Sequence, residues 1–430
     1  MAVGGVVCAS GLSVEPDSMG AADELSDRLA VESPDLVMVF ATAEHARRMG
    51  MIEDRVRERT GARHVMALTG SGVMGGRVDR EDGSGLSAMA MRLPGVRVKP
   101  FWIDLPASGL SPEERAVELG EQIGAGDDLR AAFVFADPFS VPLVNLIPDL
   151  AAARARRVVG RVVGRKREEP IGVIAGGLAS AGATPGRNTL VCDGQIRTNG
   201  AMGVSLSGPV RVDTVVSQGC RPFGPRLVIT KARGNLIQEL GGVRAVDAMR
   251  GAVGTLGEED RKLLGGALLI GRVIDETKKH LGRGDYLVRG VLGADEESGS
   301  VAVGDLVRVG QSVRMHLRDE RTAREDLSLL MDGQRLYARP AGALMFSCVG
   351  RGEAFFDAPG HDAGAVSRAF DPLPDGPRAA KSGQALDADA GVPLAGFFAA
   401  GEIGPIGDGI YHHEQTAVAA LIRDPDETGS

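Results

Sequence analysis

The residues best suited to chemistry are arginines that stand beside predicted turns or at the ends of predicted elements. Arg221, Arg318 and Arg351 are of this kind. An arginine in such a position can grip a carboxylate through two parallel hydrogen bonds, so these residues predict an anion site. Asp319 and Glu402 allow a second interpretation, because either carboxylate could hold an arginine in an internal ion pair. An arginine that is held by an acid and faces a cleft could do both.

A second group of reactive side chains lies in the glycine-rich segment Gly396–Ala420, which carries Glu402, His412 and His413. The apolar run at its start predicts a buried strand, and the alanine-rich stretch Thr416–Ile422 predicts a helix. A glycine-rich turn between a strand and a helix leaves backbone N–H groups free to meet a ligand. The alternative is a tight connection within a packed domain. Adjacent histidine side chains diverge, so this pair does not predict a metal site.

The turn Thr69–Gly76 follows a predicted strand, and its backbone N–H groups could cradle a small carboxylate or phosphate near Ser71 and Gly72. It lacks the Lys-Ser/Thr pair of a P-loop and the spacing of a dinucleotide fingerprint, which argues against a nucleotide. Thr69 and Val73 replace the glycines of a serine-hydrolase elbow, which argues against that enzyme class. The alternative is a tight turn packed near the domain core.

Cys348 ends a predicted apolar strand and would be a nucleophile if His412 or His413 lay beside it. A buried structural cysteine is the commoner case and is the favoured interpretation. The four cysteines are widely spaced and include no Cys-x-x-Cys, so neither a zinc site nor a redox pair is predicted. Free cysteines fit a reduced, cytoplasmic setting.

Bulk properties exclude several classes of protein. The net charge is −8, whereas a protein that binds duplex nucleic acid needs a basic face. Aromatic residues make up only 4% of the chain, which argues against a stacking platform for single strands. The sequence contains no run of 18 apolar residues, so no membrane span is predicted.

The predicted elements indicate a mixed α/β fold. A continuous apolar run at Leu36–Phe40, a helical pattern at Glu44–Arg59 and an apolar run at His64–Leu68 predict a βαβ unit. Short strands follow one another after Pro185, and Leu236–Leu256 is predicted to be mostly helical. The expected architecture is therefore two domains with mixed sheets and helices packed outside.

Several segments, taken together and in order, resemble the FIST N and FIST C domains. For FIST N they are Asp35–Phe40 and the turn Gly70–Val73. For FIST C, the first is Gly401–Pro405 with a following His/Thr pair. The others are Gln218–Pro225, Asp285–Arg289, His316–Asp319 and Phe346–Gly352. The resemblance covers residues 20 to 423. It places a FIST N-like domain at 20–230, a FIST C-like domain at 231–423 and a disordered tail at 424–430.

The resemblance implies a cytoplasmic, bacterial sensory protein that binds a small ligand, with amino acids and related carboxylates as the ligand class. The two domains fill the chain, so its output is expected to pass through a partner protein such as a histidine kinase. The ligand is expected between the domains, at Ser71, Gly72, Arg221, Arg318, Arg351, Glu402 and His412. No catalytic residue and no cofactor are predicted. Two alternatives stay open, a hydrolase using Cys348 or Glu402 and a haem-based nitric-oxide sensor.

Overall fold

The computed structural model describes residues 5–106, 109–162, 165–265, 268–371 and 391–425. The strands are, in chain order, β1 Val7–Ser13, β2 Leu36–Ala41, β3 His64–Thr69, β4 Val73–Gly75, β5 Val78–Arg80, β6 Leu86–Arg92, β7 Arg97–Ile103, β8 Leu129–Ala136, β9 Arg156–Val162, β10 Arg165–Pro170, β11 Val173–Leu178, β12 Leu190–Cys192, β13 Gln195–Arg197, β14 Ala201–Ser207, β15 Arg211–Gln218, β16 Cys220–Arg233, β17 Leu236–Leu240, β18 Val243–Arg244, β19 Leu269–Val273, β20 Tyr286–Asp295, β21 Ser300–Val303, β22 Ser312–Arg318, β23 Gly342–Cys348, β24 Leu394–Ala399, β25 Glu402–Ile406, β26 Gly409–His413 and β27 Thr416–Arg423.

The α-helices are α1 Ser18–Arg28, α2 Met49–Thr60, α3 Pro112–Ile123, α4 Leu143–Ala153, α5 Ala245–Gly254, α6 Glu258–Lys262, α7 Glu320–Gln334, α8 Glu353–Phe356 and α9 His361–Arg368. Short 3-10 helices span Ala43–Arg48 and Arg283–Asp285. None of the helices in the described ranges is both long and apolar enough to cross a membrane.

Within the described ranges, four sheets carry the fold, and a β9–β10 hairpin stands apart from them. Sheet 1 has the order β1-β6-β2-β3-β12-β13, and sheet 2 has the order β26-β25-β11-β8-β14-β7. Sheet 3 has the order β15-β27-β23-β24-β4-β5, and sheet 4 runs β16-β22-β19-β20-β21-β17-β18. Sheets 1, 2 and 3 each combine parallel and antiparallel pairs, as in β2 beside β3 and β6. The predicted mixed α/β fold with two domains is thereby confirmed.

Phenylalanines from three different sheets meet in the largest core. Phe40 comes from sheet 1, Phe133 and Phe135 from sheet 2, and Phe346 and Phe397 from sheet 3, and all five are fully buried. Phe40 stacks on Phe397 with ring centroids 5.4 Å apart, and Phe135 meets Phe346 edge-on at 5.5 Å. Aromatic pairs at these separations add to the hydrophobic gain. The core therefore fixes three sheets around one centre.

Each sheet carries its helices on the side away from that centre. Helices α1 and α2 cover sheet 1, α3 and α4 cover sheet 2, and α7 and α9 cover sheet 3. Sheet 4 has a core of its own, which α5 covers. Apolar side chains on both faces of the inner strands explain the continuous apolar runs in the sequence.

Two predictions about individual elements are wrong. Thr416–Ile422, predicted to be a helix, lies within β27, which pairs with β15 on one side and β23 on the other. Leu236–Leu256, predicted to be mostly helical, begins with β17 and β18, and the helix α5 starts only at Ala245. Of the predicted tail at 424–430, residues 426–430 lie outside the described residues.

Candidate functional site

The ends of several strands of sheet 3 meet at one edge of the molecule. Strands β23 and β24 run parallel, with Cys348 opposite Ala399. Strands β4 and β27 run antiparallel to them, so Val73 and Thr416, where these strands begin, lie at the same end. Strand β15 ends there as well, with Gln218 opposite Thr416. This topology brings together turns that lie far apart in the sequence.

Arg351 is the most deeply buried charge at this edge. Its Nε and Nη2 atoms donate to the two carboxylate oxygens of Asp362 at 2.7 and 2.9 Å, and both side chains are almost fully enclosed. Ser347 also donates to Asp362, at 2.9 Å. Burial raises the pKa of Asp362, but the charge of Arg351 and hydrogen bonds from His361 and Arg351 outweigh burial and leave that pKa at about 2. Nη1 of Arg351 has no partner among the described residues and faces Gly219. A Cβ on Gly219 would stand 2.9 Å from this nitrogen.

Arg318 is half-buried and lacks an acidic partner in the described part of the chain. Strand pairing with Cys220 positions its backbone, and its guanidinium lies 4.1 Å above the ring of Phe355. Its Nε and Nη2 atoms are buried and make no hydrogen bond to a described residue. Nη2 lies 3.1 Å from the position of a Cβ on Gly350, and Oε1 of Gln415, also without a described partner, lies 3.2 Å from that point. The two groups therefore face the same small space.

Glu402 supplies a buried acid to the same region. Its Oε2 accepts the backbone N–H of Thr416 at 3.3 Å, and its Oε1 has no partner among the described residues. Burial raises the pKa of Glu402 well above its usual value, and the charge of Arg351 only partly opposes this. We call Arg318, Arg351, Glu402 and Gln415 the sheet-end cluster.

Cys348 lies beside this cluster but is not activated. Burial raises the pKa of its thiol to about 12, with the charge of Glu402 acting in the same direction. His413 Nε2 bonds to the carbonyl of Gly404 at 3.1 Å, and His412 Nε2 lies where a Cβ on Gly401 would stand. Neither histidine therefore turns its Nε2 toward the thiol as a base. In the described ranges, no group of three His, Cys, Asp or Glu side chains is placed to hold a metal ion.

The other predicted site residues are occupied by structural contacts. The amide of Ser71 donates to Ser180 Oγ at 2.8 Å, and the carbonyl of Gly72 accepts from Phe398 at 3.0 Å. A Cβ on Gly72 would stand 2.7 Å from the carbonyl oxygen of Arg80, so this turn packs tightly. Arg221 is bound by two aspartates, Asp319 and Asp260.

A separate cleft of about 970 Å³ lies between α4, sheet 4 and the β25–β26 hairpin. Its wall is apolar along α4 and carries three arginines, Arg272, Arg289 and Arg308, with Asp305. His412 lines this cleft, so the structure places it apart from the residues of the sheet-end cluster. The sequence patterns indicated His412 but none of the other residues that line the cleft.

The cleft also provides a test of the haem alternative, because a haem iron needs an open histidine nitrogen or another axial ligand. His412 is the histidine that lines the cleft, and its Nε2 is turned against Gly401. Burial lowers the pKa of His412 to about 3, so the ring is neutral. The residues of the cleft do not fit a haem ligated through this nitrogen.

Comparison with known proteins identifies the family of both halves of the chain. Residues 35–243 match the FIST N domain, and residues 245–405 match the FIST C domain. The uncharacterized protein Mb0898c of Mycobacterium bovis is 33% identical over 423 residues, covering 97% of this chain and 99% of the relative. Rv0628c of Mycobacterium tuberculosis, also uncharacterized, is 31% identical over 421 residues, with 96% and 99% covered.

Among solved structures, a cyanuric acid hydrolase from A. caulinodans covers 98% of this chain, and 99% of its own chain is covered in return. The TM-score is 0.30 and the sequence identity is 10%. This likeness is too distant to carry an argument about the protein.

Proposed function

Because the chain belongs to the FIST family, whose domains are associated with signal transduction, we propose that it is a sensory protein that binds an amino acid or a related small carboxylate. The ligand site of this proposal is the sheet-end cluster. Its residues lie in the FIST C match or just beyond that match, and Gly219 of the FIST N match borders the cluster beside Arg351.

A group of buried polar atoms without described partners carries the proposal. They are Nε and Nη2 of Arg318, Nη1 of Arg351, Oε1 of Glu402 and Oε1 of Gln415. A buried polar group that lacks a hydrogen bond costs about 1–3 kcal/mol, so several in one place favour a site that a ligand completes. Donors and acceptors are both present, which suits a ligand that carries both.

The charges of the cluster favour a zwitterion. Asp362 neutralises Arg351, which leaves Arg318 as the cation and Glu402 as the acid without a close partner in the described chain. The carboxylate of an amino acid would accept from Arg318, and its ammonium group would donate to Gln415 and to Glu402, where the ammonium charge would lower the raised pKa of the carboxyl and favour its ionised form. Charge-assisted hydrogen bonds of this kind are shorter and stronger than neutral ones.

Two glycines limit the size of the ligand. Gly219 and Gly350 border the cluster, where a Cβ would stand within about 3 Å of Arg351 Nη1 and Arg318 Nη2 respectively. The space left by these residues suits a compact amino acid rather than an extended molecule. We expect binding to be passed to a cytoplasmic signalling partner such as a histidine kinase.

The test begins with mass spectrometry of small molecules released from the purified protein. Calorimetry then measures the twenty amino acids and the dicarboxylates of two to six carbons on the wild type and on Arg318→Ala. Loss of one charge-assisted hydrogen bond of about 1.5–3 kcal/mol should weaken binding by about 10- to 150-fold.

Arg321→Ala is the matched control, because Arg321 is 87% exposed on the neighbouring helix α7, where it forms a salt bridge with Glu325. Its affinity should equal that of the wild type. No released molecule and no heat from any of the probes would refute the proposal. Equal affinity of wild type and Arg318→Ala would refute the site.

A further inference from the structure

We propose that the cleft between α4, sheet 4 and the β25–β26 hairpin is a second ligand site, which takes an amphipathic monoanion, namely a carboxylate with an apolar chain. Its volume of about 970 Å³ lies in the range of pockets that enclose small molecules. This proposal does not rest on the function of the sheet-end cluster, because the lining of the cleft includes none of that cluster's residues.

One wall of the cleft is built to hold the apolar chain. Helix α4 turns Leu143, Ile147 and Ala151 toward the cleft, four residues apart and therefore on one face. Leu287 and Val303 of sheet 4 also line the cleft. An apolar chain between these surfaces would be removed from water, which is the main source of binding free energy for such a ligand.

Arg289 is the most enclosed of the three arginines that line the cleft, with only 5% of its surface exposed. Its Nη1 and Nη2 donate to the backbone carbonyls of Val288 and His412, at 2.9 and 2.8 Å. These bonds hold the guanidinium in place, and its Nε has no hydrogen-bond partner among the described residues. The nearest acids, Asp305 and Glu414, lie 3.9 and 3.8 Å from that Nε, beyond hydrogen-bond distance.

Arg272 lies on the neighbouring strand β19, and a hydrogen bond holds its guanidinium as well. Its Nη2 donates to Asp305 at 3.1 Å, and its Nε is buried without a described partner. The cleft is therefore lined by two guanidinium groups that their hydrogen bonds hold in place. Fixed donors lose little entropy when they bind, and two of them suit the two oxygens of a carboxylate.

The charge of the wall selects the sign of the ligand. Three arginines and one aspartate line the cleft, which leaves a net charge of two positive units. Glu414 approaches Arg289 from outside the lining and reduces this to one. A single negative charge on the ligand completes the balance, whereas a cation would meet an excess of positive charge.

Calorimetry with decanoate as the probe tests the site in the full-length protein. Decanol and decylamine serve as neutral and cationic probes of the same chain length, and acetate serves as the anion without the chain. Decanoate should bind saturably, decanol at least tenfold more weakly, and decylamine and acetate without measurable saturation.

Two variants act on different parts of the cleft. Arg272→Ala removes one fixed donor and should weaken decanoate by about 10- to 150-fold. Ala151→Phe fills the apolar wall without touching a charge, and it should reduce affinity by a similar factor. Arg250→Ala is the control, because Arg250 is 62% exposed on α5 and does not line the cleft.

Each outcome of these binding measurements either supports or overturns the proposal. Loss of affinity in Arg272→Ala and Ala151→Phe, with Arg250→Ala and Arg318→Ala unchanged, supports the cleft as an independent site. Absence of saturable decanoate binding overturns the proposal. Equal affinity for decanoate and decylamine would also overturn it, because the cleft would then be only an apolar groove. Circular dichroism of each variant confirms folding, and Ala151→Leu replaces Ala151→Phe if the latter does not fold.

Discussion

The sheet-end cluster and the cleft both offer arginines to a ligand, but they differ in how those arginines are held and in how much room surrounds them. In the cluster, Arg351 is held by a buried carboxylate, and a Cβ on either neighbouring glycine would stand about 3 Å from a guanidinium group. In the cleft, Arg289 is held by backbone carbonyls beside about 970 Å³ of open space. Under the two proposals, the same residue type selects a compact zwitterion in one place and a long-chain anion in the other.

The largest expected effect comes from removing the acid that holds Arg351. Asp362→Ala leaves a fully buried guanidinium without its charge partner, which should lower the free energy of unfolding by about 3–5 kcal/mol. Urea denaturation followed by circular dichroism measures it. Glu296→Ala, which breaks the exposed pair with Arg250, is the control and should cost no more than about 1 kcal/mol. Equal losses in the two variants would contradict the contrast between buried and exposed pairs.

The next effect compares added volume in the two regions. Gly219→Ala places a methyl group 2.9 Å from Arg351 Nη1 and 3.1 Å from the carbonyl of Gln415, so it should cost about 1–3 kcal/mol of stability. Ala151→Phe adds more volume but projects into the open cleft, so its cost should stay below about 1 kcal/mol. Thermal and urea unfolding of both variants gives the order. A reversed order would show that the cluster has spare room and the cleft has none.

A third prediction uses pH to examine Glu402. Burial raises its folded pKa, so above about pH 4.5 the unfolded chain releases this proton while the folded protein keeps it. The wild type should therefore lose stability relative to Glu402→Gln as pH rises from about 4.5, at up to about 1.4 kcal/mol per pH unit. Urea unfolding from pH 4 to pH 8 measures the difference. Parallel curves for the two proteins would show that Glu402 ionises normally.

The smallest effect is expected at the rim of the cleft. Arg308 is exposed, so Arg308→Ala should weaken decanoate only about two- to fivefold, far less than Arg272→Ala. The difference in affinity between Arg308→Ala and the wild type should vanish in about 1 M salt, where charges farther apart than about 3 Å are screened. Calorimetry at two salt concentrations measures it. A loss as large as that of Arg272→Ala would move the carboxylate site outward to the rim.

Part of the site could be read from the sequence because its residues end strands. Arg318 ends β22 of sheet 4, Arg351 follows β23 of sheet 3 and Glu402 begins β25 of sheet 2, so the cluster gathers strand ends of three sheets. Gln415 and Asp362 gave no such signal. Asp362 meets Arg351 only because α9 folds back onto sheet 3, and that contact has no local pattern. The predicted domain boundary near residue 231 and the set of seven site residues stay predictions.

The wrong helix at Thr416–Ile422 shows where local reasoning fails. Alanine favours helices in isolation, but every residue of β27 is buried, between β15 and β23. Small alanine side chains let both faces of the strand pack closely, and tertiary contacts override the local preference. Apart from His412, the lining of the cleft was missed for a related reason. Its walls, α4 and sheet 4, lie more than 60 residues apart, so no short pattern contains both.

The last strands of the chain also determine when the protein can fold. Strand β11 receives its outer neighbour β25 more than 200 residues later, and β23 lies between β24 and β27, which are both made after it. At about 5–20 residues per second, a ribosome needs roughly 10 to 45 seconds to supply β25 after β11. During that interval, the unpaired edge of β11 is open to pairing with other chains. Sheets 2 and 3 are therefore completed only after synthesis reaches the final strands, however early their first strands emerge.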